Sequence, residues 1–309
     1  SRGLSATFIP FDACEPLLDW HALTDALAAA HELPRARIGD TFLLRDPDTL
    51  LSRAAWIEGM GMAVKTATVF PGNPAHDRPA VNGAVSLFSD IDGTLEAIVD
   101  FHLVTKWKTA GDSLLAARRL ARPDSKVILI IGAGTVGHSL YEAYASAFPG
   151  ARFLVWNRNS AGAARMASAF PDVTTTDDLE AAVRQADIVT SATMAQAPLI
   201  RGEWLRPGQH IDLIGAYRAD MREADDTALR RARIFVDSRD TTLNHIGELK
   251  TPLEQGVITR DNIIADFYDL PSGRFARHTE DEITLFKNGG GAHLDLMTSR
   301  YILNEWGRA

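Results

Sequence analysis

One lysine and three glycines are the residues whose types and spacing speak first of chemistry. Lys65 lies in Val64-Lys65-Thr66-Ala67-Thr68-Val69-Phe70-Pro71-Gly72-Asn73, a cation inside an apolar, strand-like run. A lysine there either snorkels to the surface or is kept inside for charge or proton work. Further along, Val127 to Ile131 is an aliphatic run that passes directly into Gly132-x-Gly134-x-x-Gly137. Such a run suits a strand buried on both faces of a parallel sheet. At this spacing Gly132 allows a tight turn, Gly134 lets backbone approach a pyrophosphate, and Gly137 lets the following helix pack close to the strand. The helix start, with Thr135 and Val136 as its first residues, offers amides and a positive dipole end to the anion. The expectation is a dinucleotide site.

The next strand, Arg152 to Trp156, should end beside the adenosine ribose, where an NAD site usually has Asp or Glu. This chain has Asn157-Arg158-Asn159-Ser160 instead. An amide does not repel a 2′-phosphate, and a guanidinium can hold one through paired, charge-assisted hydrogen bonds. The expectation is NADP(H) over NAD(H), with NAD(H) still possible; the plain alternative for Arg158 is a solvated helix-cap residue. Thr193 and Met194 follow the strand Asp187 to Ser191 and should lie beside the cofactor.

These residues need elements to position them. Residues from about 14 to 32 place Leu17, Leu18, Trp20, Leu23, Ala26 and Leu27 on one helical face. Strand-like runs follow at Thr41 to Leu44, Met62 to Val69, Gly83 to Ser89 and Leu95 to Phe101, the last two joined by a turn at Asp90-Ile91-Asp92-Gly93. A helix from about Thr109 to Leu120 leads to Pro123-Asp124-Ser125, a candidate domain boundary. Beyond the glycines, strand candidates recur at Asp187 to Ser191, His210 to Ile214 and Ile234 to Val236, with helical stretches between, as a doubly wound parallel sheet requires. Ala292 to Trp306 reads as a helix.

The 309 residues suit two ordinary domains, and 46% hydrophobic residues supply a core. A formal charge of −8 without a long Lys/Arg run argues against nucleic acid or an anionic membrane as partner. The one cysteine, Cys14, cannot form an internal disulfide, which fits a reducing compartment. Without a bilayer-length apolar stretch or a signal-like start, the expected location is the cytoplasm. The nine histidines are scattered, no His/Cys/carboxylate set has metal-ligand spacing, and no metal is expected. No Walker lysine follows the glycines, and Ser139 lacks the second glycine of a nucleophile elbow.

Five strings in order resemble the ornithine cyclodeaminase/μ-crystallin family, from about Pro34 to Trp306. They are the Lys65-to-Asn73 segment, Pro79-Ala-Val-Asn-Gly83, the Gly132–Gly137 fingerprint, Gly208 through Gly215 to Glu223, and Ile283-Thr-Leu-Phe-Lys287-Asn-Gly-Gly-Gly-Ala292. The resemblance implies an α/β architecture: a Rossmann doubly wound domain, residues 123–287, beside a smaller α+β substrate and dimerisation domain. That smaller domain covers residues 1–122 and is completed by a C-terminal helix at about 288–309. It further implies a homodimer, an active site in the interdomain cleft, and hydride chemistry at the α-carbon of small amino or imino acids. Carried over singly, Lys65 falls on the lysine that binds the substrate carboxylate and acts as acid or base. Arg37, with Arg35 as fallback, falls on a carboxylate-binding arginine, and Lys108 falls where the family usually has an arginine clamp. Asn157, Arg158 and Asn159 resemble the NADP(H)-type pattern, and Asn288 falls in the cofactor-contacting part of its string.

One departure separates the branches. Cyclodeaminases place an aspartate two residues after the glycine corresponding to Gly215, where this chain has Tyr217. A phenol with a reference pKa of about 10 is not the same base at neutral pH. Asp220 lies close but suits a turn, and His245 stands where a glutamate is common. The resemblance therefore implies reduction of a small α-imino acid, such as a Δ1-pyrroline- or Δ1-piperideine-2-carboxylate. A cyclodeaminase using catalytic NAD and a non-catalytic NADP(H)-binding protein are the alternatives.

Overall fold

The computed structural model describes residues 6–309. Two compact units emerge: one runs to Lys108 and resumes at Gly291–Ala309, and the other is Thr109–Gly290. The division falls inside a helix rather than at Pro123-Asp124-Ser125. That helix begins at Phe101, well before the expected Thr109; its first turns (Phe101-His102-Leu103-Val104-Thr105) are rich in aromatic and β-branched residues, which hid its start in the sequence.

The first unit is built on β1 (Thr7–Ile9), β2 (Arg37–Arg45), β3 (Asp48–Ile57), β4 (Gly61–Val69), β5 (Val81–Phe88) and β6 (Leu95–Asp100), ordered β1-β6-β5-β4-β3-β2. The pair β1/β6 is parallel and the others antiparallel. Period-2 alternation divides β4 cleanly: Gly61, Ala63, Lys65 and Ala67 are buried, while Met62, Val64, Thr66 and Thr68 are not. Helices α1 (Phe11–Cys14) and α2 (Trp20–Ala30) follow β1, where the sequence suggested one continuous helix; Pro16 interrupts it with a 3-10 turn, and Asp19 caps α2 by accepting from the Ala22 amide at 2.8 Å. The C-terminal helix Ala292–Gly307 packs on β3, β4 and β5. Strand β3 had no counterpart among the sequence-based expectations, because Ser52-Arg53 breaks its apolar run.

Helix α3 (Phe101–Leu120) passes from the first unit into the second. There β7 (Val127–Ile131), β8 (Arg152–Trp156), β9 (Val173–Thr175), β10 (Ile188–Ser191), β11 (His210–Leu213), β12 (Ala232–Val236), β13 (Ile263–Ala265) and β14 (Ile283–Lys287) form one parallel sheet. Its order is β13-β12-β14-β11-β10-β7-β8-β9. This is the doubly wound Rossmann architecture, and the chain changes direction between β7 and β10. In such sheets ligands bind beyond the carboxyl ends of the strands at that switch point. Helix α4 (Thr135–Ala147) follows β7, and α5 (Ser160–Ala169) follows β8. Among the described residues, no helix is long and apolar enough to cross a membrane.

Candidate active site

At the switch point a cavity of about 600 Å³ is lined by Gly132, Gly134, Asn157, Arg158, Thr193 and Met194, among others. The three glycines differ in what confines them. Gly132 has φ +101°, and a Cβ on it would come 2.5 Å from the Ala192 carbonyl oxygen. On Gly137 a Cβ would come 2.1 Å from the Gly132 oxygen, so helix and strand could not approach. Gly134 has nothing within 4 Å of where its Cβ would point. It is also the N-cap of α4, and no side chain caps that helix. The turn thus leaves open the space a pyrophosphate would fill and presents uncapped amides to it. Thr135 and Val136 form the first turn of α4.

The loop after β8 is held by Asn157, whose Oδ1 accepts from the Ala133 amide at 3.1 Å and whose Nδ2 donates to the Asn159 carbonyl at 2.8 Å. Asn159 caps α5 through the Ala161 amide at 2.9 Å. These two amides are structural fasteners, and Arg158 between them is exposed on the cavity wall.

The opposite wall rests on a buried carboxylate. Glu223 accepts from the Thr193 amide at 2.9 Å, the Thr193 hydroxyl at 2.7 Å and the Gly215 amide at 2.7 Å, as well as from the Ser191 hydroxyl. It thereby ties together the ends of β10 and β11. Burial raises its pKa, opposed by the Lys287 ammonium and these donors. Glu248 accepts from the backbone amides of Glu223 and Ala224, and burial together with the Glu223 charge pushes it up to about 7. Asn288 does not join the cavity wall. Its side-chain amide donates to the Thr109 carbonyl and to Ser113 Oγ, both at 3.0 Å, and so fastens α3 within the second unit.

The first unit carries the cations. Lys65 Nζ lies 3.0 Å from Asp295 Oδ2, and Lys108 Nζ lies 3.1 Å from Asp295 Oδ1. All three side chains are nearly enclosed, at 8%, 10% and 2% exposure. Burial lowers the Lys65 pKa to about 8, helped by the Lys108 charge and only partly opposed by Asp295. Burial would raise Asp295, but Lys108 and Lys65 outweigh it and hold the carboxyl below its usual range. The result is two ammonium groups on one carboxylate, with a proton on Lys65 that can leave near neutral pH. Asp295 was not anticipated; the available signal was a carboxylate in the otherwise apolar stretch Ala292 to Met297.

Arg37 does not belong to this group. In the sheet register it pairs with Trp56, whereas Arg53 pairs with Lys65. Trp56 and Arg53 are three positions apart on β3, so alternation puts Arg37 on the other face of the sheet, where it lines a groove with Trp56, Met62 and Val64. Arg35 lies beside Arg37 in a surface pocket with Glu58 and Asp90. Counting back from Lys65 could not see the strand reversal between them. Tyr217 is 57% exposed with the Arg218 guanidinium 5.4 Å from its ring centre, and Asp220 is engaged by Arg218 and Gln196. His245 is exposed.

A glycine turn at the switch point of a doubly wound sheet, with two lysines gathered on one buried carboxylate in a separate unit, is an arrangement for a nicotinamide-dependent oxidoreductase of amino or imino acids. The particular family follows from comparison: residues 54–309 match the model of the ornithine cyclodeaminase/mu-crystallin family, and the chain belongs to that family. It is 52% identical over 308 residues to a Delta(1)-pyrroline-2-carboxylate reductase of Paracoccus denitrificans, covering 97% of each chain. Among solved structures, the Thermococcus litoralis Delta(1)-pyrroline-2-carboxylate reductase in complex with NADH and L-proline matches with TM-score 0.87 at 26% identity, over 98% of both chains. An archaeal alanine dehydrogenase dimer with bound NAD matches with TM-score 0.88 at 25% identity, over 98% of this chain and 96% of that one.

Proposed function

We propose that this protein reduces Δ1-pyrroline-2-carboxylate, and more slowly its six-membered homologue, to the corresponding cyclic amino acid with NADPH preferred over NADH. The observation that carries the reading is the Lys65–Asp295–Lys108 cluster, an enclosed seat with two cations and one anion, in a chain so similar to a reductase of that imino acid. One net positive charge suits one carboxylate. Lys65 and Lys108 bind it and fix the adjacent C=N. A bound reduced nicotinamide supplies the hydride to the imine carbon. As the π pair moves to nitrogen, the Lys65 ammonium delivers a proton there and becomes a neutral amine. Asp295 holds both ammonium groups in place and keeps the Lys65 proton from leaving too early. The site residues fit the dinucleotide through the open space at Gly134 and the uncapped start of α4.

Preference for NADPH rests on Arg158, a guanidinium at the ribose-binding end of β8 with no carboxylate beside it in Asn157-Arg158-Asn159. A homodimer is supported by the edge of the first sheet. There β2 is exposed along its whole length and carries Ile38, Phe42, Leu43 and Leu44, the last 76% exposed, an apolar surface that calls for a partner. The archaeal relative described as a dimer argues for a second copy as that partner. A cytoplasmic setting agrees with a single, buried cysteine.

The test is loss of NADPH absorbance with Δ1-pyrroline-2-carboxylate, Δ1-piperideine-2-carboxylate, and pyruvate with methylamine, with NADH run in parallel and ornithine assayed for ammonia release. Fast turnover of the five-membered imine is expected. Ammonia from ornithine would overturn the reading in favour of a cyclodeaminase, and tight NADPH binding with no turnover would favour a binding protein.

A further inference from the structure

The first unit contains a third cation that the lysine cluster does not include. Across the sheet, Asp40 of β2 pairs with Arg53 of β3, Arg53 with Lys65 of β4, Lys65 with Val85 of β5, Val85 with Val99 of β6, and Val99 with Ile9 of β1. Directly opposed residues point to the same face with Cβ atoms about 5 Å apart. The row therefore runs from fully buried Ile9, Val99 and Val85, through the enclosed ammonium of Lys65, to a guanidinium and a carboxylate that are each about one-third exposed. Among the described residues Asp40 holds Arg53, at 3.2 Å from Nε and a long 3.5 Å from the second nitrogen. Such a partly exposed pair is weakly stabilising and is readily exchanged for another carboxylate.

We propose that Arg53 is the guanidinium arm of the substrate-carboxylate clamp, taking the role that the sequence assigned to Arg37. The inference rests on the imino-acid reading above and deepens it. Both Lys65 and Lys108 are point-charge donors committed to Asp295, so neither offers the planar fork that orients a carboxylate. Among the described residues, Arg53 is the guanidinium directly opposed to Lys65 in the sheet register, and Asp40 holds it as a stand-in carboxylate would. Its charge also bears on Lys65, helping to lower that ammonium's pKa, as it must if both groups contact one anion. Counting the row and the cluster together, three cations face two carboxylates, which leaves one positive charge for a monocarboxylate.

The experiment compares Arg53→Met, Arg53→Lys and Asp40→Asn in the full-length protein by steady-state kinetics, by titration with pyrrole-2-carboxylate as a planar probe, and by thermal melting. Arg53→Met should raise KM for the imino acid and Kd for the probe by about ten- to a hundredfold, the loss expected for a charged hydrogen-bonded contact. KM for NADPH should stay unchanged, and Arg53→Lys should recover part of the loss. Asp40→Asn should leave KM equal or lower, since it frees the guanidinium. If Arg53 merely anchors β2, Arg53→Met and Asp40→Asn will lower the melting temperature alike and leave KM alone, which overturns the inference while the reductase reading stands. A wild-type protein that turns over no imino acid and does not bind the probe overturns both.

Discussion

At the scale of single residues, function turns on which protons and charges Lys65 can manage. A group that must donate a proton loses activity as pH rises through its pKa. The reductive kcat/KM should therefore be level in mild acid and fall above about 8, while oxidation of proline by NADP+ should rise over the same range. Lys65→Ala should lower kcat/KM by about a hundredfold or more with NADPH binding intact, measured by fluorescence titration. Asp295→Asn removes the one partner that opposes the lowering of the Lys65 pKa, so the falling limb of the profile should move to lower pH. A limb that stays in place would mean another group sets it. Arg158→Ala should raise KM for NADPH by about tenfold or more and leave KM for NADH nearly unchanged. Lys65 stood out in the sequence because a cation in an apolar run contradicts its surroundings, Arg158 because it stands in place of an acid, and Lys108 only through the family resemblance. Asp295 and Arg53 did not, because their meaning comes from partners far away in sequence or across a strand whose existence the sequence hid.

At the scale of elements, the glycine turn makes a prediction that separates folding from binding. Gly137→Ala drives a methyl into the Gly132 carbonyl and should lower the melting temperature markedly. Gly134→Ala meets no atom of the protein, so it should leave the melting temperature nearly unchanged and weaken NADPH binding, because the methyl enters space the pyrophosphate needs. Equal effects of the two on stability would contradict this division. The strand–turn–helix unit was readable because its information is local: aliphatic run, glycine spacing, helix start. Strand β3 was not, since Ser52-Arg53 interrupts its pattern, and neither was the carboxylate of Glu223, which gains its role only when β10 and β11 lie side by side. Without that carboxylate, two backbone amides and two hydroxyls at the strand ends would each lose an acceptor.

For the whole molecule, the sequence indicated two domains and the class of sheet in the second, but it placed the division at Pro123-Asp124-Ser125, whereas the compact units part within α3. A helix shared by two units carries no composition change to mark the point. The exposed apolar edge of β2 predicts assembly: Leu44→Lys with Phe42→Lys should turn a dimer into a monomer in light scattering while the monomer still binds NADPH. The order of strands in the second sheet has another consequence, for the history of the chain rather than its chemistry. Strand β14 lies between β11 and β12 in the sheet although it is the last strand made, and the segment after it becomes the helix that supplies Asp295 to the first unit. During synthesis, therefore, the second sheet waits with a gap inside it, and the lysines wait without their counter-ion, until β14 and the helix after it emerge. A chain released after β13 but before β14 would expose two unpaired strand edges and two uncompensated charges, a form suited to chaperones and not to catalysis.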